Sequence, residues 1–255
     1  MFDPVAFRLG PLEVRWYGII IGTAVILGTI LSIREANRQG IDEEFMIDLY
    51  LWVVPAAIIG ARLYFVIFTW DYYKNNLLKI FAFRSGGLAI HGAILGGLLA
   101  AYIFVKKRKE SLWRILDIVA PYLVLGQAIG RWGNFFNREA HGGVVSKEFI
   151  SIFPGFIQKQ MYINGQYYHP AFLYESIWDF LIFLFLISIR RKTFLQKGDL
   201  FVFYIVGYSI GRFFIEGIRT DSLMLGSVRV AQVLSILLIF TGLIILYLRH
   251  RNKGT

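Results

Sequence analysis

The feature that most limits what this chain can fold into is a series of long apolar segments. Each runs for roughly 18 to 22 residues, about the length that an α-helix needs to cross ~30 Å of hydrocarbon. The same 255-residue chain carries a formal net charge of +10, although 56% of its residues are apolar or aromatic. A soluble domain rarely combines these properties. The sequence therefore predicts an all-α integral membrane protein.

Sustained hydropathy predicts about seven transmembrane helices. The fourth is interrupted by Asp117, Pro121 and Gln127 and runs into a glycine-rich stretch, so we expect it to end as a broken or re-entrant segment. We expect one membrane domain, 1–255, without repeats and without a removable signal peptide. The predicted spans are 17–33, 47–70, 88–105, 115–129, 172–189, 200–215 and 228–248.

Basic residues between the predicted helices indicate the orientation, because Lys and Arg are retained on the cytoplasmic side. The densest basic runs, Lys106–Lys109 and Arg190–Lys192, lie in alternate connections. This pattern predicts an N-terminus outside the cell and a cytoplasmic C-terminus. The longest connection, at about 134–170, then lies outside. Its mixture of apolar, aromatic and turn residues predicts a small extracytoplasmic cap, or head, with a hairpin at Asn164-Gly165.

Three arginines fall within or at the edge of predicted helices, namely Arg62, Arg131 and Arg212. An arginine in hydrocarbon costs several kcal/mol without a partner, so such residues usually face a polar cavity or a ligand. An anionic ligand is one interpretation of these arginines. The other is that they only fix helix packing by pairing with acids inside the helices, namely Asp117, Glu175 and Glu216.

Arg131 lies in GRWGNFFNREAHGG, where glycines flank it and Asn134 and Asn137 follow. Glycine lets backbone N–H groups approach a ligand, asparagine side chains donate hydrogen bonds, and the guanidinium fork matches a phosphate. The segment therefore predicts an oxyanion site. The alternative is a helix-packing turn with an ordinary interfacial arginine.

The sixth predicted span places Tyr208, Arg212 and Glu216 on one helical face, because they recur at every fourth residue. One interpretation is an ion pair between Arg212 and Glu216 within the helix. The other is that Arg212 faces Arg131 across a cavity, while Glu216 orients Arg212 and limits the repulsion.

His91 lies in SGGLAIHGA, near the start of the third span, where an imidazole can take a proton near neutral pH. It could equally be a hydrogen-bonded packing residue. The 4 histidines form no metal-spaced pair and the chain has no cysteine, so we expect no metal site, no cofactor and no thiol from this protein. Nothing in the pattern indicates nucleic acid as a partner.

Six motifs in order resemble those of the prolipoprotein diacylglyceryl transferases, a family of bacterial cell-membrane enzymes. They cover nearly the whole chain, from Arg15 to about Gln232, and six ordered pieces are far more specific than one. The motifs are RWYG, GARLY, SGGLAIHGA, GRWGNFFNREAHGG, HPAFLYES and YSIGRFFIEGIRTD.

The resemblance implies transfer of the diacylglyceryl group from phosphatidylglycerol to the lipobox cysteine thiol of a prolipoprotein, with release of glycerol phosphate. It implies a seven-helix membrane body with a small head. By resemblance, Arg131 binds the phosphatidylglycerol and Arg212 is its essential partner. The late motif reads EGIRTDS where many members differ, which leaves Arg219 and Asp221 without an assigned role. The residues implied in catalysis are His91, Tyr208 and Arg212, and Tyr17, Asn134, Asn137 and Glu216 are implied to line the same site.

A lipid or anion transporter, such as a flippase, is the main alternative, since intramembrane arginines and broken helices also line anion pathways. Against it, the sequence has no inverted repeat. An intramembrane protease would need a GxSxG motif or paired intramembrane aspartates, and neither is present. A lipoprotein-binding subunit without enzyme activity is a third possibility.

Overall fold

The computed structural model describes residues 2–82 and 86–251. Ser85, the first residue of the SGGLAIHGA motif, lies outside these ranges. Within them, the chain consists mainly of helices, with three small antiparallel sheets at the helix ends and in the connections.

Seven helices in the described ranges are long and apolar enough to cross a membrane, which confirms the predicted number. Most extend beyond the predicted spans. Polar residues at the helix ends continue the helical hydrogen bonds, but a hydropathy window does not count these residues as part of the span. In chain order with the shorter helices, they are α1 (Trp16–Arg38), α2 (Glu43–Phe68), α3 (Trp70–Tyr73), the 3-10 helix η1 (Leu77–Phe81), α4 (Ile90–Lys107), α5 (Leu112–Asn137), α6 (Lys147–Ile150), α7 (Gly155–Gln160), α8 (Ala171–Ile189), α9 (Asp199–Ile218) and α10 (Val230–Arg251).

The fourth span is not broken, so this prediction is wrong. Helix α5 runs unbroken through Pro121, Gly126, Gly130 and Gly133. It is also the most buried of the spans in the described ranges, with 44% of its apolar window inside the protein. Proline and glycine are tolerated in such a helix, because neighbouring groups satisfy the backbone groups that they free. The N–H groups of Gly130 and Gly133 belong to this helix and are therefore not free to bind a ligand.

The connection between α5 and α8 is folded. Strands β3 (Val144–Val145), β4 (Tyr162–Ile163) and β5 (Gln166–Tyr168) form an antiparallel sheet in the order β3-β5-β4. Asn164 and Gly165 form the two-residue turn between β4 and β5 with φ of 48° and 84°, which confirms the predicted hairpin. A buried apolar cluster joins this segment to α5 and α8 through Phe135, Ile150, Ile157, Met161 and Phe172.

Two further hairpins precede long helices. Strands β1 (Val5–Leu9) and β2 (Leu12–Arg15) lead into α1, and β6 (Met224–Leu225) and β7 (Val228–Arg229) lead into α10. Neither hairpin is predicted from the sequence, since strands of two to five residues carry too little periodicity to distinguish them from loop.

The chain forms two compact units, and the first comprises residues 1–32 and 116–255. Helices α5, α8 and α9 pack there around Val124, Leu186 and Tyr204. Trp178 of α8 fixes its helix against α9: its ring lies against Gly211, and its Nε1 donates a hydrogen bond to the Gly207 carbonyl at 2.9 Å. Acidic and basic side chains on these helices are therefore held at fixed separations.

The second unit comprises residues 33–115, in which α2 packs against α4. The two backbones approach closely at Gly60 and Gly92, where a Cβ on either residue would collide with the carbonyl of the other. Ala56 and Gly96 continue the contact one turn away. Small residues at this spacing allow close packing of membrane helices, where lipid supplies no hydrophobic force between them.

Candidate active site

Two of the three intramembrane arginines meet at one carboxylate in the first unit. Glu175 of α8 forms an ion pair with Arg131 of α5, with Nε 2.7 Å from Oε2, and accepts a hydrogen bond from Nη1 of Arg212 of α9 at 2.5 Å. Glu175 is 5% exposed, and each arginine side chain is 19% exposed. The three helices thus converge on a buried ionic centre.

Three more charged residues extend this centre, namely Glu216 of α9 and Arg219 and Asp221, which follow the helix. Glu216 pairs with Arg212 at 2.5 Å, and the Arg219 guanidinium lies 3.7 Å from Glu175 and 4.0 Å from Glu216. Asp221 accepts two hydrogen bonds from Arg219, at 3.0 and 2.8 Å. The arginine cluster is defined here as Arg131, Arg212 and Arg219 with Glu175, Glu216 and Asp221.

The predicted ion pair between Arg212 and Glu216 is confirmed, but the predicted cavity between Arg131 and Arg212 is not found, because the Glu175 carboxylate bridges them. The pairing with acids that would fix helix packing is therefore present in the structure. Within the described ranges, some N–H groups of the two arginines still lack a hydrogen bond. Neither Nη1 of Arg131 nor Nε of Arg212 donates a hydrogen bond to the residues that the structure describes.

Hydrogen bonds next to Glu175 hold α8 in register with α5. The Ser176 hydroxyl donates to the Ala128 carbonyl at 2.8 Å and accepts from Nε1 of Trp132 at 3.2 Å. Since Trp132 follows Arg131 and Ser176 follows Glu175, these bonds fix the separation of the charged pair. The cluster is thus positioned by packed helices rather than by flexible loops.

The remaining predicted residues of the first unit lie on α5 or contact it. The Tyr208 hydroxyl accepts from Nη2 of Arg131 at 3.4 Å. The Tyr17 ring packs against Gly133, where a Cβ would come within 2.7 Å of it. Asn134 and Asn137, at the end of α5, both donate to Oε1 of Glu139, at 3.0 and 3.3 Å. The asparagines are therefore held by an acid that the sequence analysis did not select.

The folded segment is tied to the cluster through backbone hydrogen bonds. Gly143 N–H donates to the Ile218 carbonyl at 3.0 Å, and Thr220 N–H donates to the His141 carbonyl at 3.4 Å. These bonds flank Arg219 and hold it beside the cluster. The hydrogen bonds from Arg219 lower the pKa of Asp221, so Asp221 stays ionised.

His91 is the second residue of α4 and belongs to the second unit. It is exposed, its ring centroid lies 5.9 Å from that of Tyr64, and within the described ranges it makes no hydrogen bond or ion pair. The hydrogen bond of the alternative interpretation is therefore not found in the described ranges, whereas the ring contact with Tyr64 is present. The catalytic role of His91 stays a prediction.

Arg62 differs from the other two intramembrane arginines. It is 2% exposed, and its guanidinium donates to backbone carbonyls of the connection between α2 and α4, including those of Ile80 at 2.7 Å and Gly86 at 2.7 Å. These carbonyls accept the hydrogen bonds that the Arg62 guanidinium would otherwise donate to an anion. Arg62 thus organises this connection and is not part of the arginine cluster.

Three residues of this region were missed as site residues by the sequence analysis: Glu175, Arg219 and Glu139. Glu175 was treated only as a possible packing partner, although the HPAFLYES motif contains it. Arg219 lies seven residues after Arg212, which is two helical turns and therefore the same face. Only the three-dimensional packing shows that both residues reach one carboxylate.

A matched ionic centre with unused N–H groups, inside helices that cross a membrane, can bind an additional anion. Guanidinium groups bind phosphate through paired, charge-assisted hydrogen bonds. Because the centre is largely buried, such bonds are stronger than at a protein surface. The geometry therefore fits the anionic headgroup of a phospholipid.

Comparison with known proteins identifies a family whose members act on an anionic phospholipid. The family model for prolipoprotein diacylglyceryl transferase matches residues 4–248. A phosphatidylglycerol–prolipoprotein diacylglyceryl transferase of Clostridium botulinum (strain 657 / Type Ba4) is 55% identical over 245 residues, covering 96% of this chain and 98% of the relative. One of Listeria monocytogenes serotype 4b (strain CLIP80459) is 52% identical over 252 residues, covering 98% and 91%. This chain therefore belongs to the prolipoprotein diacylglyceryl transferase family of multi-pass bacterial membrane enzymes.

Proposed function

We propose that this protein transfers the diacylglyceryl group of phosphatidylglycerol to the lipobox cysteine thiol of prolipoproteins and releases glycerol phosphate. The names of its relatives give this lipid and this protein class as substrates. The single observation in the structure that supports the proposal is the arginine cluster inside the membrane-spanning helices. No cofactor is needed for this reaction.

In this proposal, the cluster binds the phosphate of the lipid. Arg131 and Arg212 present the N–H groups that Glu175 leaves unused, and part of the hydrogen bonding that Glu175 now receives passes to the phosphate oxygens. Tyr17, Asn134, Asn137 and Glu216 line this site.

The reaction forms one bond and breaks one. The cysteine sulfur attacks the carbon of the diacylglyceryl group that is bonded to the phosphate ester oxygen, the S–C bond forms, and the C–O bond breaks with its electron pair on the oxygen. Glycerol phosphate leaves with an additional negative charge. Arg131 and Arg212 accelerate the step, because they bind the growing charge more strongly than the charge of the ground state.

The thiol proton needs an acceptor, since a cysteine thiol has a pKa of ~8.5 in water and burial raises it. We assign His91 as the base, with Tyr208 as the alternative for positioning or proton relay. The pH dependence of the rate for His91→Gln separates these roles. A large loss with a changed pH profile supports the base, whereas near-normal transfer with an unchanged profile contradicts it.

We also propose that the N-terminus and the head at about 134–170 lie outside the cytoplasm, that the C-terminus is cytoplasmic, and that the chain works as a single membrane domain, 1–255. The chain has no cysteine, so single cysteines can report sidedness. We expect a membrane-impermeant maleimide to label Lys159→Cys in intact cells and to leave Lys192→Cys unlabelled. The opposite pattern contradicts this orientation.

Transfer itself is tested with the purified protein, phosphatidylglycerol and a lipobox peptide. The expected product is a peptide that has gained one diacylglyceryl group through a thioether, while the matching Cys→Ser peptide stays unmodified. Failure to modify the cysteine peptide, together with movement of the lipid between leaflets, would favour the transporter alternative. The family assignment does not favour that alternative.

A further inference from the structure

Asp179 is a buried acid that the proposed reaction does not use. It lies on α8 one helical turn after Glu175 and is 2% exposed. Its Oδ2 atom has no hydrogen-bond partner, and Asp179 makes no ion pair among residues 2–82 and 86–251. The other buried acids in these ranges each have a partner, namely Glu35, Glu175, Asp199 and Glu216.

The charges of the arginine cluster balance without Asp179. Each of its three guanidinium groups already contacts a carboxylate of the cluster. The charged and titratable groups that act on Asp179 are Arg131 of α5, Glu175 of its own helix, and Tyr204, Tyr208 and Arg212 of α9. An ionised Asp179 is therefore a surplus negative charge in a region of low polarity, where such a charge is costly.

Binding of an anionic lipid makes this surplus larger. A phosphodiester headgroup adds one negative charge to the cluster, and that charge does not titrate near neutral pH. One proton on Asp179 would offset it. No other acid of this centre can take the proton without releasing an arginine from its pair.

We propose that Asp179 takes up a proton when an anionic phospholipid headgroup binds to the arginine cluster. This inference rests on the proposed function, because it requires phosphatidylglycerol to bind at this cluster. This coupling between lipid binding and proton uptake fixes the direction of the pH dependence. Affinity for the lipid falls as pH rises, by up to about tenfold per pH unit when one full proton is taken up.

The test is calorimetric titration of the full-length protein in detergent with a short-chain phosphatidylglycerol. Titrations in two buffers with different ionisation enthalpies give the number of protons taken up on binding, and titrations from pH 6 to 9 give the dissociation constant. We expect the native protein to take up a fraction of a proton and to bind more weakly at high pH. We expect Asp179→Asn to take up none and to bind with nearly constant affinity.

Two variants complete the test. Asp179→Glu keeps a titrating acid and should keep the proton uptake. Asp199→Asn removes a different buried acid of the same unit, one that pairs with His250 at 2.8 Å, and should behave like the native protein.

Three results would overturn the inference. Lipid binding by the native protein without proton uptake would do so, and this measurement needs no variant. Unchanged uptake in Asp179→Asn would assign the proton to another group. Absence of phosphatidylglycerol binding to the native protein would refute the proposed function, and the inference with it.

Discussion

Replacement of Arg212 by lysine tests whether the fork geometry of the cluster matters or only its charge. The two terminal nitrogens of Arg212 contact two different carboxylates, Glu175 and Glu216, each at 2.5 Å. A lysine ammonium is a single point and cannot reproduce both contacts in this arrangement. One carboxylate therefore loses its nearest cation while it stays buried.

The expected loss follows from the contact that is removed. A hydrogen bond to a charged group contributes about 1.5 to 3 kcal/mol. Arg219 compensates little for Glu216, because their separation of 4.0 Å is too long for a hydrogen bond. If the same geometry positions the phosphate in the transition state, kcat/KM falls by about 10- to 150-fold, since each ~1.4 kcal/mol is tenfold.

The assay measures kcat/KM for a lipobox peptide in mixed micelles with phosphatidylglycerol, together with the thermal unfolding midpoint of the same preparation. Arg108→Lys is the matched control, because its pair with Asp48 is half exposed and surface pairs contribute at most about 1 kcal/mol. We expect Arg212→Lys to lose activity and the control to keep it. Native kcat/KM in a less stable Arg212→Lys protein would show that the cluster only holds the helices together.

Two further predictions concern stability. Gly211→Ala should lower the free energy of unfolding by about 1 to 3 kcal/mol, because the new Cβ collides with the Trp178 ring. The control Gly22→Ala should not destabilise the protein, because no atom lies within 4 Å of the new Cβ. Equal unfolding midpoints for the two variants would refute the packing of Trp178 against Gly211. Burial lowers the pKa of His169, so the unfolded chain binds a proton more readily and stability falls as pH drops below about 6.5. The unfolding midpoint of His169→Gln should therefore fall less between pH 7 and pH 5 than that of the native protein, and equal pH slopes would contradict this origin.

The membrane fold could be predicted from the sequence because hydropathy acts over whole helices. The length and composition of an apolar segment are local properties that need no knowledge of packing. The prediction of a break in the fourth span was wrong because it does depend on packing. Whether Pro121 and the glycines interrupt a helix depends on the neighbours that cover it, and these neighbours come from distant parts of the chain.

The site could be predicted only in part. The positions of Tyr208, Arg212 and Glu216 on one face follow from helical periodicity within a single element. The bridge through Glu175 requires the register of α8 against both α5 and α9, which the Ser176 and Trp178 hydrogen bonds set. Periodicity within one helix carries no information on that register.

The central claim is that the guanidinium groups of the cluster bind a lipid phosphate, and the dissociation constant of phosphatidylglycerol for Arg131→Gln tests it most directly. Loss of a charge-assisted contact to the phosphate should weaken binding by about 10- to 150-fold relative to the native protein. Arg191→Gln, which removes an exposed arginine outside the cluster, should bind like the native protein. Native affinity in Arg131→Gln would contradict the claim and would leave Arg131 as a packing partner of Glu175.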